Sequence, residues 1–138
     1  MLEQIKELSQ AANADYTVEY EESSMMNIRT DEYPSDANFV YIEEFRTGKY
    51  VFGKYGQKTR VMKMQIYFCK FTQMQNNAIQ REALRDVITA EIVEPFMELY
   101  DKSEFQAVET WGVSYPLARF DANEVSVMLE FDCIIPKC

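Results

Sequence analysis

Arg60 to Phe71 reads RVMKMQIYFCKF, and the fold turns on this stretch. It is rich in β-branched, aromatic and methionine side chains and holds neither glycine nor proline, which predicts a long strand. Upstream, Phe39 to Phe45 (FVYIEEF) is apolar on both faces at its start, as a central strand is. Thr47-Gly48, Gly53 and Gly56 punctuate the residues between, so Phe39–Phe71 is expected to form a long β-hairpin with a long or bent tip. Downstream, Val125, Val127, Leu129, Phe131, Cys133 and Ile135 alternate with Ser126, Glu130 and Asp132, which predicts a strand with one inward face. Phe105 to Val113 reads as a further strand. Tyr16, Val18 and Tyr20 alternate with Thr17, Glu19 and Glu21 as a half-buried strand does.

Two segments carry helical spacing. Leu2, Ile5, Leu8 and Ala12 set against Glu3, Lys6, Glu7 and Gln10 predict a short amphipathic helix over Met1–Ala12. The main helix follows Asn76-Asn77, read as its N-cap, with an apolar stripe of Ile79, Ala83, Leu84, Val87, Ile88 and Ile92. Glu82, Asp86 and Glu91 lie off that stripe. Pro95 is expected to kink or restart the helix, which Phe96, Leu99 and Tyr100 extend to about Asp101. Ser23 to Asn38 is polar, contains Tyr33-Pro34, and reads as a long loop. The order predicts one α+β domain over residues 1–138. A mainly antiparallel sheet with a long β-hairpin carries one main helix packed on it, beside a short N-terminal helix.

Composition narrows the chemistry. The 138 residues contain no histidine, which removes Ser-His-Asp and Cys-His nucleophilic sites and imidazole metal ligands. Fourteen basic against 23 acidic residues leave a net charge of −9, a poor basis for wrapping DNA through its phosphates. Cys69, Cys133 and Cys138 are an odd set without CxxC spacing and fit a reducing compartment. The N-terminal segment does not read as a secretory signal, and no apolar run approaches the ~20 residues of a membrane span.

Candidate motifs yield to simpler readings. Gly48 to Lys54 matches GxxxxGK, but Tyr55 stands where Ser or Thr would hold magnesium, and a hairpin suits the stretch better. Glu21-Glu22, Asp31-Glu32 and Glu43-Glu44 read as solvated surface charge, since adjacent strand residues point to opposite faces. Asp31, Glu32 and Asp36 lack the calcium-loop pattern. Cys69 and Cys133 read as small core residues. Trp111 and Tyr115 either line a ligand pocket or complete a core or interface. No catalytic, cofactor-binding or metal-ligating residue is assigned.

Charge is unevenly spread. Arg46, Lys49, Lys54, Lys58, Arg60, Lys63, Lys70 and Arg81 lie in a stretch, 45–81, with no acid; residues 1–44 balance to −9 and residues 82–138 to −8. Either the basic strands are neutralised within their own sheet, or a basic hairpin projects toward an acidic face of another subunit. The second arrangement joins unlike faces, and a head-to-tail contact of that kind produces a ring where it closes. Candidate interface residues are Arg46, Lys49, Lys54 and Lys58, with Met25 and Met26 as adaptable loop contacts.

In layout the chain resembles the small tail-completion or tail-terminator proteins of long-tailed bacteriophages and prophages. The likeness lies in the helix Met1–Ala12, an early strand, a polar loop, the hairpin Phe39–Phe71, one main helix and a closing strand Val125–Ile135. That resemblance implies a virion structural protein without catalytic residues or cofactor, made in the bacterial cytoplasm and built into the tail or neck. Such proteins form rings with copies of themselves, commonly hexamers, at the head-proximal end of the tail tube. They stop tube growth and dock to the head–tail connector protein, so the tail tube protein and the connector are the expected partners. DNA passes through the lumen without specific binding, and an anionic lining repels it. The competing readings are another phage head–tail connector protein and a monomeric ligand-binding α+β domain using Trp111 and Tyr115.

Overall fold

The structure is a computed structural model that describes residues 2–19, 38–43, 47–71, 78–106, 108–116 and 124–134. Its element order is α1 (Leu2–Ala12), β1 (Thr17–Glu19), β2 (Asn38–Ile42), β3 (Gly48–Phe52), β4 (Lys58–Phe71), α2 (Ala78–Ile88), α3 (Glu94–Asp101), β5 (Gly112–Ser114) and β6 (Glu124–Ile134). The predicted α+β class holds. Six strands form one mostly antiparallel sheet in the order β1-β2-β4-β6-β5, with β3 also paired to β4; β1 alone runs parallel, to β2.

β4 is the spine of this sheet. Its 14 residues pair with β6 along one edge and with β2 and then β3 along the other. From Ile42 to Gly48 the near strand advances six positions, while β4 advances four, from Ile66 to Met62. That offset of two preserves side-chain alternation, because strand residues repeat every two positions. Asn38, read as the end of a loop, opens β2. The polar stretch 20–37, with Met25 and Met26, and Arg46, Asn76, Asn77 and Ile135 lie outside the described residues.

Both faces of the sheet centre are buried. On the helix side Val40, Ile42, Met64, Ile66, Phe68 and Val127 join a large core with Ile5, Ile88, Ile92 and Phe96. On the opposite face Phe39, Tyr41, Tyr67 and Cys69 form a second buried cluster, flanked by Met128. Cys69 Sγ lies 3.2 Å from Ser126 Oγ, and Ser126 is itself buried. The reading of Val125, Val127, Leu129, Phe131 and Cys133 as inward is correct, but Ser126 is no solvent-facing residue. Glu43 is likewise buried rather than a solvated surface charge.

The main helix corrects the predicted stripe. Leu84, Ile88, Ile92, Val93, Phe96 and Tyr100 face the core or pack against it, whereas Ile79 is 78% exposed, Val87 is 41% exposed and Ala83 faces solvent. Two i, i+4 lines, Ile79–Ala83–Val87 and Leu84–Ile88–Ile92, overlap in one sequence window, and only one can rest on the sheet. Between α2 and α3 a single π-type turn spans Thr89–Val93, where the Glu94 N–H bonds the Thr89 carbonyl. The extra residue in that turn lets the adjacent Ile92 and Val93 both reach the core.

Pro95 then falls in the first turn of α3, where a missing N–H is tolerated. In a regular α-helix the N–H of position 95 would bond the Glu91 carbonyl. Here Asn13 Nδ2 donates to that carbonyl at 3.2 Å. The Glu91 side chain ties the helix to the sheet, taking Lys70 Nζ at 2.9 Å and the Tyr16 hydroxyl at 3.1 Å.

The expected strand Phe105–Val113 is not one; the strand here is β5, Gly112–Ser114. Ser103 caps α3 instead, its hydroxyl donating to the Tyr100 carbonyl and accepting from the Phe105 N–H. That turn stacks Phe105 on Tyr100, with ring centroids 5.1 Å apart.

Two buried phenols make the fold sensitive to alkali. Burial first, and then the Glu91 carboxylate, push the Tyr16 hydroxyl far above its ordinary range; burial, and then contact with the Cys133 thiol, do the same for Tyr100. A raised folded pKa stabilises the fold fully below the unfolded value, about 10 for tyrosine, and is lost as pH rises past it. Stability is therefore expected to hold up to about pH 10 and to fall beyond it, with both phenolates forming only on unfolding. Denaturant melts in parallel with phenolate absorbance check this. Early ionisation of both groups in a still-folded protein would contradict it.

Candidate interface: the basic hairpin

Among the described residues, β3 and the start of β4 form a two-stranded ribbon at the end of the sheet. The described part of β6 meets β4 from Val61 onward, so among the described residues Lys58, Thr59 and Arg60 are bonded to β3 alone. Every residue of β3 is exposed. The turn is closed locally: Gly53 N–H bonds the Gln57 carbonyl at 2.6 Å, and Gly56 N–H bonds the Gly53 carbonyl at 3.0 Å. Gly56 has φ +81°, a left-handed backbone that favours glycine.

The ribbon has two unlike faces because its side chains alternate. Tyr50 stands opposite Arg60 and Phe52 opposite Lys58 on one face, while Lys49 and Val51 stand opposite Val61 and Thr59 on the other. Lys58 Nζ lies 5.8 Å from the centre of the Tyr50 ring, a cation–π contact. Tyr50 is 59% exposed, Phe52 69% and, at the turn, Tyr55 87%. Single exposed aromatics are ordinary; three within six residues on a projecting ribbon form a surface that water solvates poorly.

Charge divides along the hairpin. Near the sheet the bases are neutralised: Lys63 Nζ lies 2.9 Å from Glu130 Oε1, and Lys70 meets Glu91. Glu130 also accepts from Gln65 Nε2 at 2.8 Å. Lys63 foremost, then Gln65, hold the Glu130 carboxyl below its ordinary range. Toward the tip, Lys49, Lys54, Lys58 and Arg60 are in no ion pair among the described residues. Neutralisation within the sheet thus holds for Lys63 and Lys70 and not for the bases toward the tip, among the described residues.

Of the expected interface residues, Lys49, Lys54 and Lys58 come together on this ribbon. Arg60 belongs with them, and so do Tyr50, Phe52 and Tyr55, none of which sequence reasoning singled out as interface residues. The signal was present in the alternation of Tyr50 and Phe52 across from Arg60 and Lys58. Trp111 and Tyr115 do not share a site. Trp111 packs on Phe131 at 4.5 Å and Tyr100 at 5.4 Å, whereas Tyr115 is exposed beneath the Arg85 guanidinium, 5.1 Å from its ring centre.

Among the described residues no group of His, Cys, Asp and Glu is arranged to hold a metal ion. Cys69 and Cys133 are buried free thiols, and burial pushes the Cys133 thiol up, away from the reactive thiolate. Beside the ribbon a shallow depression of about 250 Å³ is lined by Thr47, Gly48, Lys49, Val61, Lys63 and Asp132. No helix among the described residues is long and apolar enough to cross a membrane. No protein-family model matches the chain, and no curated protein matches its sequence.

Proposed function

We propose that this protein is a structural assembly protein of the phage tail-completion type. It forms a ring with copies of itself at the head-proximal end of the tail tube and joins tail to head connector. The observation that carries this reading is the tip of the hairpin, where Lys49, Lys54 and Lys58 enter no ion pair among the described residues and Tyr50, Phe52 and Tyr55 are exposed. Such a surface costs solubility in a lone monomer and gains by burial against a partner. The acidic balance outside the hairpin supplies the opposite charge, and a head-to-tail contact between unlike patches produces a ring where its rotation closes.

Native mass spectrometry over a concentration series at low salt is expected to reveal a closed oligomer. A strict monomer at every concentration overturns the reading. Reversing Lys49, Lys54 and Lys58 to Glu is expected to weaken association by about tenfold or more while leaving the melting temperature within a few degrees, because all three are exposed. Normal assembly of the triple variant would remove the hairpin lysines from the interface.

A further inference from the structure

The outer flank of the long helix opposes the hairpin in both of its properties. Ile79, Ala83, Val87 and Ala90 stand exposed at helical spacing along α2 and into the π-type turn. Glu82, Asp86 and Glu94 are exposed beside them and enter no ion pair among the described residues. This flank is spare because the helix docks on the sheet through Leu84, Ile88 and Ile92, so the core makes no use of Ile79 or Val87. An isoleucine at 78% exposure next to unpaired carboxylates is the counterpart of an exposed phenylalanine next to unpaired bases.

We propose that this helical flank receives the β3–β4 hairpin of a second copy of the chain. Tyr50 and Phe52 lie along the Ile79–Ala90 line, and Lys58 and Arg60 meet Glu82, Asp86 and Glu94. Length agrees with this pairing. From Gly48 to Phe52 β3 spans about 14 Å, which fits within the helical rise of about 17 Å from Ile79 to Ala90. The alternation of the ribbon puts both aromatics and both bases on one face, so apolar and ionic contacts form together. Charged groups at the rim of a hydrophobic strip fix its register and exclude wrong partners. Hairpin and helix are different patches of one molecule, so each copy donates one and receives at the other. The inference rests on the assembly reading above and names its contact.

A charge swap tests it. Variants Lys58→Glu/Arg60→Glu and Glu82→Lys/Asp86→Lys, and the two pairs combined, are compared with wild type by native mass spectrometry at matched concentration and low salt. Circular dichroism verifies that each is folded. Each pair alone is expected to weaken association by about tenfold or more, and the combination to restore it to within about threefold of wild type. Phe52→Ser and Ile79→Ser probe the same two surfaces without altering charge, and each is expected to weaken association. If wild type assembles and either charge pair does so unchanged, or if the combination stays apart, the hairpin–helix contact is wrong and the assembly reading stands. If wild type is monomeric throughout, the assembly reading fails and this contact with it.

Discussion

Phe96→Ala is expected to lower the unfolding free energy by about 3–5 kcal/mol. Phe96 is fully buried in α3, the short helix that follows the π-type turn. Its ring reaches Phe68 on β4 at 5.7 Å, Tyr100 at 6.1 Å, and Trp111 and Phe131 at 6.3 Å. These neighbours come from four separate parts of the chain, so they cannot all move inward when the ring is removed. The cavity term then adds to the lost transfer free energy. Set against the 5–15 kcal/mol typical of a whole domain, this loss takes a large share. Urea melts of wild type and variant measure it. A loss under about 1 kcal/mol would mean that α3 is not seated on the sheet as described.

Phe39→Ala is expected to cost a similar 3–5 kcal/mol, although Phe39 points away from the helices. It is fully buried, 4.4 Å from the Tyr41 ring by centroid, in the cluster with Tyr67 and Cys69. Phe52→Ala is the control: the same chemistry at an exposed site of the hairpin, expected to shift monomer stability by no more than about 0.5 kcal/mol. Equal and small effects at Phe39 and Phe52 would show that the face opposite the helices is no core. A large effect at Phe39 alone establishes a sheet buried on both faces at its centre.

The strands were legible because their signal is local. Arg60–Phe71 and Val125–Ile135 alternate or run apolar over many residues, and the structure places strands there with shifts of a residue or two at the ends. The early FVYI of β2 carried its two-sided burial in plain view. The helix was legible in extent and misread in facing. Ile79, Ala83 and Val87 satisfy helical periodicity as well as Leu84, Ile88 and Ile92 do, and nothing within the window separates the two lines. The strand expected over Phe105–Val113 fails at its start for another reason: a serine turn at Ser103 folds Phe105 back on Tyr100.

The hairpin divides the same way. Its existence, its basic charge and its glycine-marked turn were set by the sequence alone, because turn chemistry and alternation act over a few residues. Whether each base is neutralised depends on residues far along the chain. Lys63 meets Glu130 because β6 lies beside β4, and Lys70 meets Glu91 because the helix crosses that end of the sheet. Lys58 and Arg60 lie beyond the described β4–β6 pairing, where among the described residues no strand but β3 is paired to them. Thus the sequence by itself determined the α+β class, the strand spine and a basic hairpin. Only the tertiary structure decided which flank of the helix is spare and which bases find an ion pair among the described residues, since ion pairs and burial form between segments that periodicity cannot relate.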